Sequence, residues 1–426
     1  MAHIARNIIT VFLFLSGILS QTTACAQEII IIQTTENDKK ILKENKPNEP
    51  NTPEVPLFEL TDRSGSFVMA LGGYIKPIMG WDIGNDLNDI SVVPNEIPIP
   101  AEKGHKSHFY LNPTHSAFDL QMIGLKGTKN QITGYIAAKY TGSGRTLKLS
   151  KMYILYRGFR FGLATSIYTD GDAMPNTLDP QGPNGAISTS TYQISYNHKA
   201  RNGLSLAVGM EKPTFDSYSG VYKGKDYPEF YDKDIYANAS QSCPDFTAYL
   251  QYQPKSGIAR VRLSGIVRNF RYVDEIKDKV EGVFGWGAML SGNLRPCAPL
   301  TIYYECSYGK GIAAYYQDLC GLPLSYIPME NPYRMQASPM MGWQTGATAN
   351  VSKKIQVGAV VSQNRVWDVE TYYDKYRYGL YAEGCVLYRI TPYLQWGIEY
   401  IYGQLNNYIG GQGSVNRIQT AVILSL

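Results

Sequence analysis

From about residue 65 to its end the chain alternates apolar and polar residues with a period of two. Over 203–211, Leu204, Leu206, Val208 and Met210 share one face, and Ser205, Ala207, Gly209 and Glu211 share the other. Over 354–362, Ile355, Val357, Ala359 and Val361 form the apolar face. Over 259–271, Val261, Leu263 and Val267 oppose Arg260, Arg262, Ser264 and Arg268. Successive side chains of a strand point to opposite faces, so this is the pattern of strands with one apolar and one polar environment. Many segments run to 10–15 residues, longer than the five or six usual in soluble sheets.

Sixteen segments are predicted: 65–82, 115–126, 130–141, 146–156, 158–168, 189–198, 202–212 and 244–254, then 258–272, 282–293, 299–314, 339–351, 354–367, 377–389, 392–405 and 414–426. Tight joins such as 254–257 and 351–354 alternate with longer ones, of which 83–114, 169–188, 213–243 and 315–338 are the longest. An even count with alternating joins is the grammar of an antiparallel transmembrane β-barrel of outer-membrane porin type, the all-β fold expected here. The last strand must pair with the first, because open edges are not tolerated in lipid. Ile418, Thr420, Val422, Leu424 and Leu426 are expected to make its outer face.

The N-terminus reads differently. Arg6 precedes an apolar run from Ile8 to Leu19 and a small-residue site at 24–26, so 1–26 is expected to be a secretory signal peptide. Cleavage before Cys25, as in a lipid-anchored protein, is the alternative; Thr22 stands where such a site usually has Leu. Residues 27–64 are Lys-, Asn-, Glu- and Pro-rich and are expected to form a largely disordered periplasmic tether, with a short helix at 34–45 as the alternative within it. The barrel is expected over 65–426. No later segment approaches 18 consecutive apolar residues, which excludes a transmembrane helix. The expected location is the outer membrane of a Gram-negative bacterium, long loops extracellular and termini periplasmic.

Composition agrees. There are 34 Tyr and 40 Gly against 5 His, and 18% of residues are charged. Tyrosine at this level suits interfacial belts and a wet lumen. A formal charge of +4 with no basic tract argues against nucleic acid. Beyond the signal, Cys243, Cys297, Cys306, Cys320 and Cys385 match no metal spacing; Cys306 and Cys320 are placed to bridge the base of a loop. His105, His108 and His115 cluster near one long join, but no acid or Cys supports them at metal-ligand spacing. No serine nucleophile elbow is present, and 142–146 lacks the Lys of a phosphate loop. Neither an enzyme nor a cofactor or metal site is expected.

The stretch 146–185 resembles the core of the DcaP-like outer-membrane porin family. The likeness rests on Lys148, Ser150, Met152, Tyr153, Gly162, Ser166, Tyr168, Asp170, Pro175, Asp179, Gly182 and Pro183 in that order, and on the opening strand at 72–82. It concentrates in 71–183. The chain departs from the family at Lys139, where an acid is usual, and in a strand-four row thinned to Lys148 and Ser150. The resemblance implies a trimeric sixteen-stranded porin for small anionic solutes such as dicarboxylates, with a loop near 169–188 folding into the pore.

Read from the residues alone, Lys76, Lys139 and Lys148 with Arg260, Arg262 and Arg268 make a pore-lining basic wall. Asp170, Asp172 and Asp179 make an acidic constriction loop. A basic wall facing an acidic loop sets a transverse field that discriminates solutes by charge. Lys151 falls on the nominal lipid row with Leu147, Leu149, Tyr153 and Leu155. A lysine in mid-bilayer hydrocarbon costs about 2–4 kcal/mol, which favours burial at a subunit contact on strands one to four. The expected function is an outer-membrane diffusion channel for small hydrophilic, anionic or polar solutes, a homotrimer in contact with outer-membrane lipid. A loop-gated substrate-specific channel and a surface-binding, adhesive barrel are the alternatives, because the loops at 213–243 and 315–338 are rich in Tyr, Pro and Asp.

Overall fold

The computed structural model describes residues 58–62, 65–87, 91–141, 146–213, 236–330, 333–369 and 374–425. The expected signal peptide and most of the expected tether therefore lie outside the described residues. The strands in chain order are β1 (Phe58–Thr61), β2 (Phe67–Ile75), β3 (Ile78–Ile83), β4 (Ser107–Asn112), β5 (Ala117–Gly124), β6 (Ile132–Thr141), β7 (Thr146–Tyr156) and β8 (Phe159–Thr165). Next come β9 (Ser190–Lys199), β10 (Leu204–Glu211), β11 (Tyr236–Asn238), β12 (Asp245–Tyr252), β13 (Ala259–Asp274), β14 (Lys279–Cys297) and β15 (Leu300–Lys310). The last are β16 (Tyr326–Glu330), β17 (Tyr333–Ala337), β18 (Pro339–Asn350), β19 (Ile355–Val366), β20 (Tyr378–Arg389), β21 (Leu394–Asn406) and β22 (Gln412–Ser425).

These strands close into a sixteen-stranded antiparallel barrel. β2 and β3 are one barrel strand broken at Lys76 and Pro77, since proline has no N–H for the ladder. β4 and β5 form the second strand, and β11 and β12 the eighth. Closure is direct: Ile75 pairs with Leu424 and Tyr74 with Ser425, and Ile78–Ile83 pair with the stretch from Ala421 back to Asn416. The alternating pattern is obeyed on both faces. Leu206, Val208, Met210, Val261, Leu263, Val267, Ile418 and Val422 are exposed outward, while Ala207, Glu211, Arg260, Arg262, Ser264 and Arg268 are buried inward. Aromatic clusters mark both rims: Trp81 with Phe109, and Trp286 with Tyr308, at the loop-rich end, and Phe159 with Phe161 and Tyr196 at the tight-turn end.

Three readings change. Residues 107–112, expected within the first long loop, are β4 and extend the wall by pairing with β3. The last part of the expected tether is ordered: β1 pairs with β2 and covers the part of its edge that β22 does not reach. The third concerns Lys151. A bulge at Ser150 shifts the register, so Ala137 pairs with Lys151 but Ala138 pairs with Leu149. The extra residue flips the strand's phase. Lys151 and Tyr153 are buried toward the interior, while Met152 and Ile154 face outward. Lys151 therefore does not face lipid, contrary to expectation, and needs no subunit contact to cover it.

The interior is filled by inward connections. Residues from 84–106, 166–189 and 311–325 pack together there, with Val92, Ile97, Tyr168, Ile187, Ile312, Tyr315, Tyr316 and Leu319 in one apolar cluster. Tyrosines expected at lipid interfaces and in a wet lumen thus also serve as core: Tyr168, Tyr315, Tyr316, Tyr376 and Tyr381 are sealed from solvent.

Candidate translocation pathway

The 166–189 segment crosses the barrel interior and is bonded to its wall around most of the circumference. It starts at Glu211 on β10, whose carboxylate accepts bonds from Ser166 Oγ (2.8 Å) and the Ile167 amide (2.8 Å). Asp170 then accepts from Arg260 Nη2 of β13 (2.9 Å) and Ser291 Oγ of β14 (2.5 Å). Gln344 of β18 donates to the Ala173 carbonyl (2.8 Å). The Leu178 amide donates to Glu399 of β21 (2.7 Å), and the Leu178 carbonyl accepts from Lys76 Nζ (2.6 Å). Ser362 of β19 donates to Asn184 (2.6 Å), and the Ile187 amide donates to Glu305 of β15 (2.6 Å). A loop carries backbone groups that must find partners once buried. Here Glu211, Gln344, Glu399, Lys76 and Glu305 supply them, while Arg260, Ser291 and Ser362 hold the loop's Asp170 and Asn184 side chains.

At Gly185 the loop backbone lies directly on the wall. A Cβ there would sit 2.4 Å from the Gln363 carbonyl oxygen and 2.6 Å from that of Trp343. Gly342 is its counterpart, with Tyr316 Cε1 at 2.3 Å and the Gly185 oxygen at 2.4 Å from an added Cβ. Only a pair of glycines permits this approach.

The structure divides the nine residues singled out from sequence. Arg260 and Arg262 do not face the acidic loop across open space; both contact it. Asp170 lies 2.9 Å from Arg260 Nη2 and 3.7 Å from Arg262 Nη1, and Asp172 lies 3.9 Å from Arg260. Arg262 also donates to the Ile167 carbonyl and stacks on Tyr249 (3.8 Å). Arg268 pairs with Asp245 (3.0 Å) and donates to the Gly311 carbonyl (2.6 Å), so it holds the 311–325 connection. Lys76 and Asp179 are buried on the far side, with Tyr381 between Asp179 and Glu383. Its hydroxyl oxygen lies 2.9 Å from Asp179 Oδ2 and 2.5 Å from Glu383 Oε2, and its one proton serves only one of them. Burial raises Asp179 to a pKa of about 6, so that carboxyl takes up a proton only as the pH falls through about 6.

Lys139 and Lys148 stand apart. They are direct cross-strand partners on the inner face near the loop-rich rim, and both are solvent-exposed. Neither makes an ion pair among the described residues. Like charges placed opposite each other in a ladder are destabilising, so packing does not account for this pair. Arg160, also inward, stacks on Tyr153 (5.1 Å) below them.

Sequence reasoning missed the acidic half of the wall and the loop hub. Glu211, Glu305 and Glu399 sit at the polar phase of alternating strands, and that phase was the available signal. Asp82, bonded bidentately by Arg417 (2.6 and 2.7 Å), was equally legible as an inward charge. Asp318 was not legible. It accepts from the Asn95 amide (2.9 Å), Asn184 Nδ2 (3.2 Å) and Tyr376 Oη (2.5 Å), and its carbonyl accepts from Asn95 Nδ2. Four inward or outer connections meet on this one side chain. Burial raises it to a pKa of about 6, against the opposing effect of its donors. No disulfide joins Cys306 to Cys320. His105 pairs instead with Asp86 (2.7 Å), which raises its pKa. Among the described residues, the cluster closest to metal-ligand geometry is Glu383, Cys385 and Glu399, which includes none of the histidines.

No protein-family model and no curated protein sequence matches this chain. Solved structures do. The outer membrane channel DcaP of Acinetobacter baumannii superposes with a TM-score of 0.71 at 17% identity, over 86% of this chain and 99% of that one. An anion-selective porin from Comamonas acidovorans gives 0.52 at 10% identity, over 84% and 100%. OmpF of Salmonella typhi, in complex with daunomycin, gives 0.53 at 8% identity, over 85% and 98%. At these identities the likeness is one of fold.

Proposed function

We propose that this chain is a porin of the DcaP-like type, a diffusion channel in the outer membrane of a Gram-negative bacterium, passing small hydrophilic solutes with a preference for anions. The barrel fold and the sequence resemblance at 71–183 support the class. The observation that carries the anion preference is the exposed Lys139–Lys148 pair on the inner face. The buried Arg260, Arg262 and Arg268 are compensated by Asp170, Asp172 and Asp245 and contribute little net field. The lysines have no acidic partner among the described residues, and they stand at the rim through which solutes arrive if the loops face outward. The 166–189 segment, held at mid-barrel, narrows the path. Long loops extracellular, termini periplasmic and a homotrimeric assembly complete this reading.

The test is reversal potential in a planar bilayer under a salt gradient. The wild type is expected to prefer anions, and Lys139→Ser/Lys148→Ser to lose most of that preference while conductance persists. A wild type that prefers cations, or a double variant with an unchanged potential, refutes the assignment.

A further inference from the structure

An apolar groove of about 640 Å³ crosses the outer face of the barrel from β8 to β14. Its course follows one row of ladder partners. Ile194 lies opposite Met210, Met210 opposite Phe246, Phe246 opposite Val267, and Val267 opposite Trp286. Ala248 and Gly265, paired across β12 and β13, sink its floor between larger neighbours. Because barrel strands are tilted, a row perpendicular to them climbs the wall obliquely. The groove runs from Phe159, beside a tight turn, to Trp286 near the loop-rich rim.

The next residue in the row is charged. Trp286 pairs with Lys310, which is exposed. From Trp286 a run of rings continues sideways, to Tyr308 (5.9 Å) and then Trp367 (6.4 Å). The guanidinium of Arg365 lies 5.3 Å from the Trp367 ring. Asn364 and Val366 are buried inward, so Arg365 points outward, and its Nε is sealed from solvent without a hydrogen-bond partner. Neither Lys310 nor Arg365 makes an ion pair among the described residues. The apolar groove thus ends at the rim beside Lys310, and the ring run from Trp286 leads on to Arg365 three strands away.

We propose that this groove seats an acyl chain of a phosphorylated lipid of the outer leaflet, with Lys310 and Arg365 binding its phosphate. Apolar walls of this volume suit a hydrocarbon occupant. The cations supply the complementary charge at head-group depth, where Lys and Arg are tolerated on a lipid-facing wall. The planar guanidinium of Arg365 presents N–H groups in a fork that matches phosphate oxygens. An apolar protein surface docked here would leave both cations without a counter-charge. The proposal rests on the orientation given above, with the loop-rich rim facing outward.

The experiment is native mass spectrometry of the full chain in detergent, titrated with diphosphorylated lipid A or with its dephosphorylated form. The wild type is expected to retain the diphosphorylated lipid at least tenfold better. Lys310→Ser/Arg365→Ser should remove that difference, and Ala248→Trp, which fills the groove, should lower retention of both lipids. Heat-modifiable electrophoretic mobility identifies folded variants, and Ala248→Trp serves if the double variant does not fold. Equal retention of the two lipids by the wild type, or no effect of either variant, overturns the proposal. Bilayer conductance of the same samples separates the readings: conductance without lipid discrimination leaves the channel standing and removes the lipid site, whereas loss of both refutes the orientation and the channel together.

Discussion

Asp170 Oδ2 lies 2.9 Å from Arg260 Nη2, with both side chains almost wholly removed from solvent. The pair joins the start of the inward loop to the beginning of β13, beside a tight turn. Breaking a buried ion pair by removing one partner costs about 3–5 kcal/mol, because the other charge is left stranded. Arg260→Ser is therefore expected to loosen the 166–189 segment as well as remove a charge. Single-channel conductance should rise, and the segment should become sensitive to protease in folded protein. A variant with wild-type conductance and protection would show that the other latches hold the loop without this one.

The lysine pair should behave in the opposite way. Lys139 and Lys148 are exposed and hold nothing in place, so replacing them should leave loop protection unchanged and shift only selectivity. The shift should shrink as salt rises, since the Debye length falls from about 10 Å at 0.1 M to about 3 Å at 1 M. Reversal potentials at two ionic strengths check this; a salt-independent shift would point to a change in pore shape.

Acid should favour the packed state of the inward loops. Asp318 is raised to about 6 where it is buried, whereas a carboxyl released to water returns to about 3.9. The packed form binds the proton more tightly, so its stability is greatest below the released value and declines as pH rises through about 4 to 6. Conductance is expected to fall on acidification across that window. Asp318→Asn keeps the shape of the side chain and removes its charge, and should flatten this Asp318 component. An equally steep pH response in the variant would assign the effect elsewhere, first to Asp179, raised to a similar value.

Gly185→Ala tests the contact between loop and wall. The new methyl would lie 2.4 Å from a backbone oxygen, which no side-chain motion relieves. Overpacking of this kind costs about 1–3 kcal/mol. Loop protection against protease should drop while the barrel's heat-modifiable mobility stays, because the ladder between β18 and β19 does not depend on the loop. Unchanged protection would mean that the wall shifts to accommodate the methyl.

Alternation along the chain determined the barrel, its sixteen segments, the faces of β10, β13 and β19, and its closure through β22. The reason is local: a strand's phase follows from which residues meet lipid, and every residue of the strand repeats the signal. The same logic failed at β7, where one bulged residue at Ser150 moved Lys151 to the other face. A register shift leaves no mark in composition. The charges were legible as inward, but their pairing was not. Arg260 meets Asp170 from 90 positions away, and Asp318 gathers Asn95, Asn184 and Tyr376 from three separate connections. Such contacts depend on where loops fold back, and many side chains far apart in sequence must agree before any one of them is satisfied. The chain therefore specified a charged lumen by itself. Only the tertiary structure decided that most of those charges hold the inward loops, while Lys139 and Lys148 remain open to solvent.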